Sequence, residues 1–325
     1  MEHSRRSFFK LGAAAGLAAP ALLSARPSLA AAPKAGTQVP GLYRHSVGDF
    51  EVTAILDGAL PVAPGLIVGY DEDQAASALK RQHLPASPEG QVIPVIGYLV
   101  NTRDRLIAID NGSTDSFVET LGNYHSVLES AGYSADQIDH VIATHLHVDH
   151  IGGMADARGS ARFKNADLIV STAEWDFWHN DTIRSQTPEG FQFLFDAARS
   201  QTAPYKDKLK LIEKDEEIFP GIQLVALPGH TPGHLGVHLH SQGQQLLIWG
   251  DVVHTTKLQM DHPDWTIAFD VDADMARATR MRVLDMVVAD DISVAGMHLD
   301  FPGFGHISRN GSAYRFDPVA WDYGI

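Results

Sequence analysis

Cysteine is absent from all 325 residues. Disulfides, thiolate nucleophiles and iron–sulfur clusters are therefore excluded, and any bound metal must rest on nitrogen and oxygen ligands. Positive charge is scarce too. Lys and Arg number 25 against 40 Asp and Glu, a formal net charge of −15. Nucleic-acid binders neutralise phosphates with clustered Lys and Arg, so this balance argues against that class. Beyond the N-terminus there is no apolar run of the roughly 20 residues that a spanning helix needs, which argues against stable membrane insertion. Long linkers, internal repeats and low-complexity stretches are also missing.

What is present begins with a targeting pattern. Residues 1–32 run from a charged start through an alanine-rich apolar stretch, Leu11 to Leu23, to small residues suited to cleavage near Ala30 or Ala32. Arg5 and Arg6, set in SRRSFFK, resemble the twin-arginine export signal of bacteria. The resemblance implies passage of an already folded, metal-loaded protein to the periplasm. Residues 33–325 would then form a single mature domain.

Short apolar, β-branched segments recur through that region: FEVTAILDG, QVIPVIGYLV, RLIAIDNG, HVIATHLH, DLIVST, IQLVALPGH, LGVHLH, QLLIWGD and ISVAGMH. Each ends at Gly, Asp, His, Val or a hydroxyl residue, as strands do. Helix-like segments interleave with them at 116–132, 172–180, 188–200 and 273–290. Ser116 and Asp272 or Asp274 serve as expected N-caps, and Gly132 as a C-terminal stop. Such alternation predicts an α/β fold without an obvious domain boundary.

Histidine is abundant at 17 residues, and its placement is not random. THLHVDH, at 144–150, carries His145, His147, Asp149 and His150 where one strand runs out. His230, Asp251 and His298 follow three later strands. In an extended segment His145 and His147 share a face while Leu146 points into the core. Seven ligands exceed one tetrahedral ion but suit two, with three side chains each and one bridging carboxylate.

The pattern His-x-His-x-Asp-His, followed at long range by His, Asp and His, resembles the metallo-β-lactamase fold superfamily and its dinuclear hydrolases. HTPGH at 230–234 and the Gly250–Asp251 pair extend the similarity. The resemblance implies an αββα sandwich with His145, His147 and His230 on one metal. Asp149, His150 and His298 hold the other, Asp251 bridges, and Asp110 and His234 support the ligands from behind; His306 is read as a further supporting or structural group. Zinc is the default ion, with mixed zinc and iron, manganese or cobalt also compatible. Two such ions lower the pKa of a shared water and supply a bridged hydroxide, which makes the site hydrolytic, with Asp149, Asp251 and His254 as catalytic residues.

Within the superfamily, GLYRHSVGDFEVTAILDG, HLDFPGFGHI and the signal segment are similar to the branch of methyl parathion hydrolase and exported lactonases. That similarity implies a homodimer and an apolar pocket for lactones, aryl esters or, in some members, phosphotriesters. His254, Leu258, Ile267, Phe269, Trp178 and Phe193 are the expected pocket residues, with Trp175, Phe177, Phe191 and Phe195 as further candidates. A histidine at 254, where organophosphate-specialised members carry an aliphatic residue, favours a planar ester or lactone over a phosphotriester. A dedicated organophosphate hydrolase and an acyl-homoserine lactonase are the alternatives of the same fold. A metal-binding protein without turnover is the alternative of another class.

Overall fold

Strand Leu106–Ile109 shows how the sequence builds the layers. Leu106 and Ala108 enter one core while Ile107 and Ile109 enter another, so both faces of the strand are buried. A strand covered on both faces must read as a continuous apolar run, and this one does. The same division holds at Asp167–Ser171, where Leu168 and Val170 face one way and Ile169 the other.

The computed structural model describes residues 34–36, 38, 39, 41–213 and 215–323. The export segment, residues 1–32, lies outside the described residues. Pro40–Ile325 cluster as one compact unit. Two seven-stranded sheets form its centre. The first runs, in spatial order, Leu42–Val47, Phe50–Val62, Gln91–Asn101, Leu106–Ile109, His140–Ile142, Asp167–Ser171 and Leu209–Ile212. The second runs Ala313–Pro318, Phe304–Asn310, Ser293–Ala295, Gln244–Ile248, Leu235–Ser241, Ile222–Ala226 and Glu216–Phe219.

Val52, Ile96 and Ile109 meet Leu224, Val237 and Ile248 between the sheets. Outside the first sheet, Leu128, Leu194 and Ala198 of helices Tyr124–Ser130 and Glu189–Thr202 pack on Leu99, Val141 and Val170. Outside the second, Val283, Leu284 and Val287 of helix Ala273–Ala289 cover Leu247 and Val294. The result is the expected αββα sandwich. Among the described residues no helix is long and apolar enough to cross a membrane.

Some elements differ from the sequence reading. Helix 172–180 is seen as Thr172–Trp178, and helix 273–290 as Ala273–Ala289 with Asp272 accepting from the Met275 amide at 2.9 Å. The segment 116–132 is helical only over Tyr124–Ser130, so Ser116 caps nothing. Asp57, buried in the first sheet, draws in the amides of Ser113 (3.0 Å), Gly122 (3.1 Å) and Tyr124 (2.7 Å), and this holds residues 113–123 in turns. The strand expected over HVIATHLH stops at Ile142. Past it, Asp110 takes the Thr144 amide at 2.8 Å and Glu174 takes the Leu146 amide at 2.9 Å. Side-chain acceptors from distant segments thus replace a strand neighbour.

Candidate metal centre

The loops that follow strands His140–Ile142, Ile222–Ala226, Gln244–Ile248 and Ser293–Ala295 supply the site. Leu146 is buried in the core, and the flanking His145 and His147 turn the other way, with His145 Nε2 3.1 Å from His147 Nδ1. The one-turn helix Val148–Ile151 then delivers Asp149 and His150. His230 Nε2 lies 2.9 Å from His147 Nδ1. Asp251 arrives through Gly250, whose φ of +58° favours glycine, and a Cβ there would meet His234 Nε2 at 2.3 Å.

Asp251 divides the site. Its Oδ2 faces His145 Nε2 at 3.7 Å and His230 Nε2 at 3.3 Å. Its Oδ1 faces His150 Nε2 at 3.2 Å and His298 Nε2 at 3.4 Å. Asp149 Oδ2 closes the second group, 3.5 Å from His298 and 3.8 Å from His150. Among the described residues the donor atoms gather in four overlapping groups. His145–His147–His230 and Asp149–His150–His298 flank Asp251, which joins His145 and His150 in a third, and His230, His254 and Asp270 form the fourth. An ion bound tetrahedrally at ~2.0–2.1 Å holds its ligands roughly 3.3 Å apart, close to these separations. His150 Nε2 and Asp251 Oδ1 are buried without any hydrogen-bond partner. Buried polar atoms seldom go unpaired, and two aimed at one point suit a cation.

The outward nitrogens are fixed. His150 Nδ1 meets Asp110 Oδ2 at 2.7 Å, His230 Nδ1 meets Asp270 Oδ1 at 2.7 Å, and His298 Nδ1 meets the Pro94 carbonyl at 2.8 Å. Each contact selects the tautomer that leaves Nε2 free to bind a metal. His234 accepts from the Asp251 amide at 2.9 Å and lies 2.8 Å through Nδ1 from the Leu227 carbonyl. Burial pushes its pKa down to about 3, so it stays neutral and can do both.

Charge in the cluster is lopsided. Burial, then neighbouring imidazoles such as His150 at His145 and His230 at His147, hold both residues well below the usual histidine range. Burial also opposes charge on His150, but Asp251, Asp149 and Asp110 outweigh it and lift that imidazole well above its ordinary value. Burial likewise opposes the Asp251 anion, yet His150, His298 and His254 hold its carboxyl well below the carboxylate range.

The profile of the metallo-beta-lactamase superfamily matches residues 93–295, which contain every one of these residues except His298. The chain belongs to the metallo-β-lactamase superfamily. The crystal structure of hydrolase AbOPH of the beta lactamase superfamily superposes with a TM-score of 0.83 at 31% identity, covering 88% of this chain and 100% of that one. The fold is shared with AidC, a dizinc quorum-quenching lactonase solved with a product, at a TM-score of 0.81 and 24% identity over 88% of this chain and all of AidC. An N-acyl homoserine lactonase of a Bacillus species is 28% identical over 169 residues, 46% of this chain and 60% of that protein. One from Bacillus thuringiensis is 27% identical over 184 residues, 50% of this chain and 65% of the relative. The matches thus span less than two thirds of those curated relatives.

In this superfamily member His147, Asp149, His230, Asp251 and His298 form the floor of a cavity of about 410 Å³, walled by Leu60, Ile93, Phe117, Phe191 and Leu194. Of the expected pocket residues, His254, Ile267, Phe269 and Phe193 line it. Leu258 does not: it is buried among Ala75, Leu79 and Trp265, because the short helix Thr256–Gln259 turns it toward helix Glu72–Arg81. Trp178 is also displaced from this cavity, since its indole donates to Glu174 at 2.6 Å and its ring sits edge-on to His147 in the core. His306 lies exposed on strand Phe304–Asn310, away from the cluster.

Two supporting carboxylates were not foreseen. Asp270 anchors His230. Glu174, fully buried, accepts from Leu146 N, Trp178 Nε1, Thr231 Oγ1 and Gly233 N, and so binds the His145–His147 loop to the His230 loop. The serine N-cap of helix Thr172–Trp178, three residues before Glu174, was the available clue.

Proposed function

We propose that the protein is a dinuclear metal-dependent hydrolase of small apolar lactones, with aryl esters in its range and phosphotriester hydrolysis as a weak side activity. The observation that carries this reading is Asp251, whose two oxygens face different ligand clusters on the floor of an apolar cavity. His145, His147 and His230 would hold one divalent ion, Asp149, His150 and His298 the other, and Asp251 both. Bound there, such ions would supply an activated water at neutral pH and polarise the substrate's carbonyl, making its carbon the better electrophile.

The chain's own residues do the rest. The His234 contact and the Gly250 turn hold Asp251 in place. The apolar walls exclude water and fit a hydrophobic acyl or aryl group. His254 is buried with its Nε2 3.2 Å from Asp251 Oδ2, and its Nδ1 has no hydrogen-bond partner. An imidazole N–H there can donate to the leaving oxygen of a planar ester, while its bulk crowds a tetrahedral phosphotriester. The lactonase relatives support the lactone reading, and the net charge agrees with a neutral rather than anionic substrate.

Zinc is the proposed ion on the strength of the histidine-rich ligand set. Export through the twin-arginine-like segment and assembly as a homodimer are proposed from the sequence resemblance. The test is a panel of acyl-homoserine lactones, aryl lactones, aryl esters and phosphotriesters, ranked by kcat/KM before and after chelation. Lactones should lead, and chelation should abolish turnover. A protein that retains two ions yet hydrolyses none of the panel would refute the enzyme reading.

A further inference from the structure

A second cavity, of about 310 Å³, adjoins the first. Its walls include Trp178, Pro188, Phe195 and Val271. His147, Phe191, Leu194 and Phe269 line both cavities. Phe191 and Phe269 meet edge-to-face, with ring centroids 5.9 Å apart and planes at 78°. The pair is therefore a partition, with open space on either side and a metal-facing histidine at its foot.

Apart from His147, whose Nδ1 faces His145 and His230, the polar side chains around the second cavity are already committed. Trp178 Nε1 donates to Glu174, and the Thr187 hydroxyl donates to the Ile183 carbonyl at 2.9 Å. Asp270 meets His230 Nδ1 through one oxygen and accepts the Ile267 amide through the other at 3.0 Å. Little is left there to recognise a polar ligand, whereas aromatic and aliphatic walls gain from burying hydrocarbon. Neither ring of the partition is locked by a polar contact, and both are only partly buried.

We propose that the second cavity is a latent subsite for the distal end of the substrate's acyl chain, and that the Phe191–Phe269 partition sets the chain length accepted. The proposal rests on the hydrolase reading for its substrate class. With the partition closed, a chain is confined to the cavity above the metals. With either ring removed, the two spaces join and a longer chain can pass over His147 toward Trp178.

The test uses linear carboxylates, the acid product class of ester hydrolysis, from hexanoate to dodecanoate. Their affinities for metal-loaded wild type, Phe191→Ala and Phe269→Ala are measured by calorimetry. Each newly buried methylene can add about fourfold in affinity. The dodecanoate-to-hexanoate affinity ratio should rise at least tenfold in both variants, and Ala268→Trp added to Phe269→Ala should cancel the gain. An unchanged ratio in both variants overturns the proposal, as does a gain that Ala268→Trp leaves intact.

Phe269 precedes an anchor of His230, so metal content is measured alongside. If an alanine variant loses metal or fold, Phe191→Leu and Phe269→Leu decide, with a smaller rise expected and no rise overturning the partition. Lactone and aryl ester turnover is recorded separately on wild type. Absence of turnover on both lactones and aryl esters would count against the hydrolase reading, while the carboxylate ratios would still decide the subsite.

Discussion

The floor and the walls of the cavity are built on opposite plans. On the floor, His150, His230 and His298 are each held from behind by a named acceptor, and Asp251 is held by His234. On the walls, Phe191, Phe193 and Phe269 rest on apolar packing and remain partly or largely exposed. A misplaced ligand leaves a buried charge uncompensated, which is costly, so the floor must be over-determined. A shifted phenyl ring loses only some dispersion contact. The chemistry of such a site is therefore hard to alter by substitution, and its selectivity easy.

The strongest way to break this contrast is Asp251→Asn. An amide cannot place a negative oxygen toward both clusters, so kcat/KM should fall by about 10³-fold or more, roughly 4 kcal/mol of transition-state stabilisation. Metal content measured on the same preparation should fall with it. Activity close to wild type would remove Asp251 from its bridging place. His254→Leu stands at the border of floor and wall. Lactone kcat/KM should drop by about 10²-fold through loss of the donor. Both ions should be retained, and phosphotriester hydrolysis should hold steady or rise. Equal losses on both substrates would make His254 part of the floor.

Asp270→Ala tests whether anchoring matters as much as ligation. His230 would keep its place in the chain but lose the partner of its Nδ1. Metal affinity should weaken by about 10- to 100-fold, read by competition with a chelator, and activity should recover at excess metal. No change in affinity would mean that packing alone orients His230.

The same contrast explains what could be read from sequence. The floor was legible because its ligands are chemically distinctive and fall at strand ends. Alternating apolar segments such as Leu106–Ile109 indicated an α/β fold, and the αββα layering came from the resemblance that the ligand motif carries. Glu174 and Asp270 were not, because acidic residues are common here and only the folded chain shows which are buried. The early end of the strand at Ile142 was hidden for a related reason: its cause, Asp110 and Glu174, lies about 30 residues away on either side. The walls were read less well. A tryptophan or leucine serves a core and a pocket equally: Leu258 proved to serve the core, while Trp178 packs in the core and also walls the second cavity rather than the one above the metals.

Leu258 gives the finest test of that distinction. It is 1% exposed and packs with Ala75, Ala78, Leu79, Trp265 and Ile267. Leu258→Ala would leave a void under the loop that follows Asp251, and the usual cost of such a truncation is about 3 kcal/mol. Denaturant unfolding should show that loss. The ratio of lactone to aryl ester kcat/KM should meanwhile stay within about twofold of wild type, since surface contacts with substrate are untouched. Val62, Ile93 and Ile267 belong both to Leu258's cluster and to the cavity wall, so they form the route by which the void could reach substrate. A changed substrate ratio with unchanged stability would show that this route dominates, and would return Leu258 to the wall.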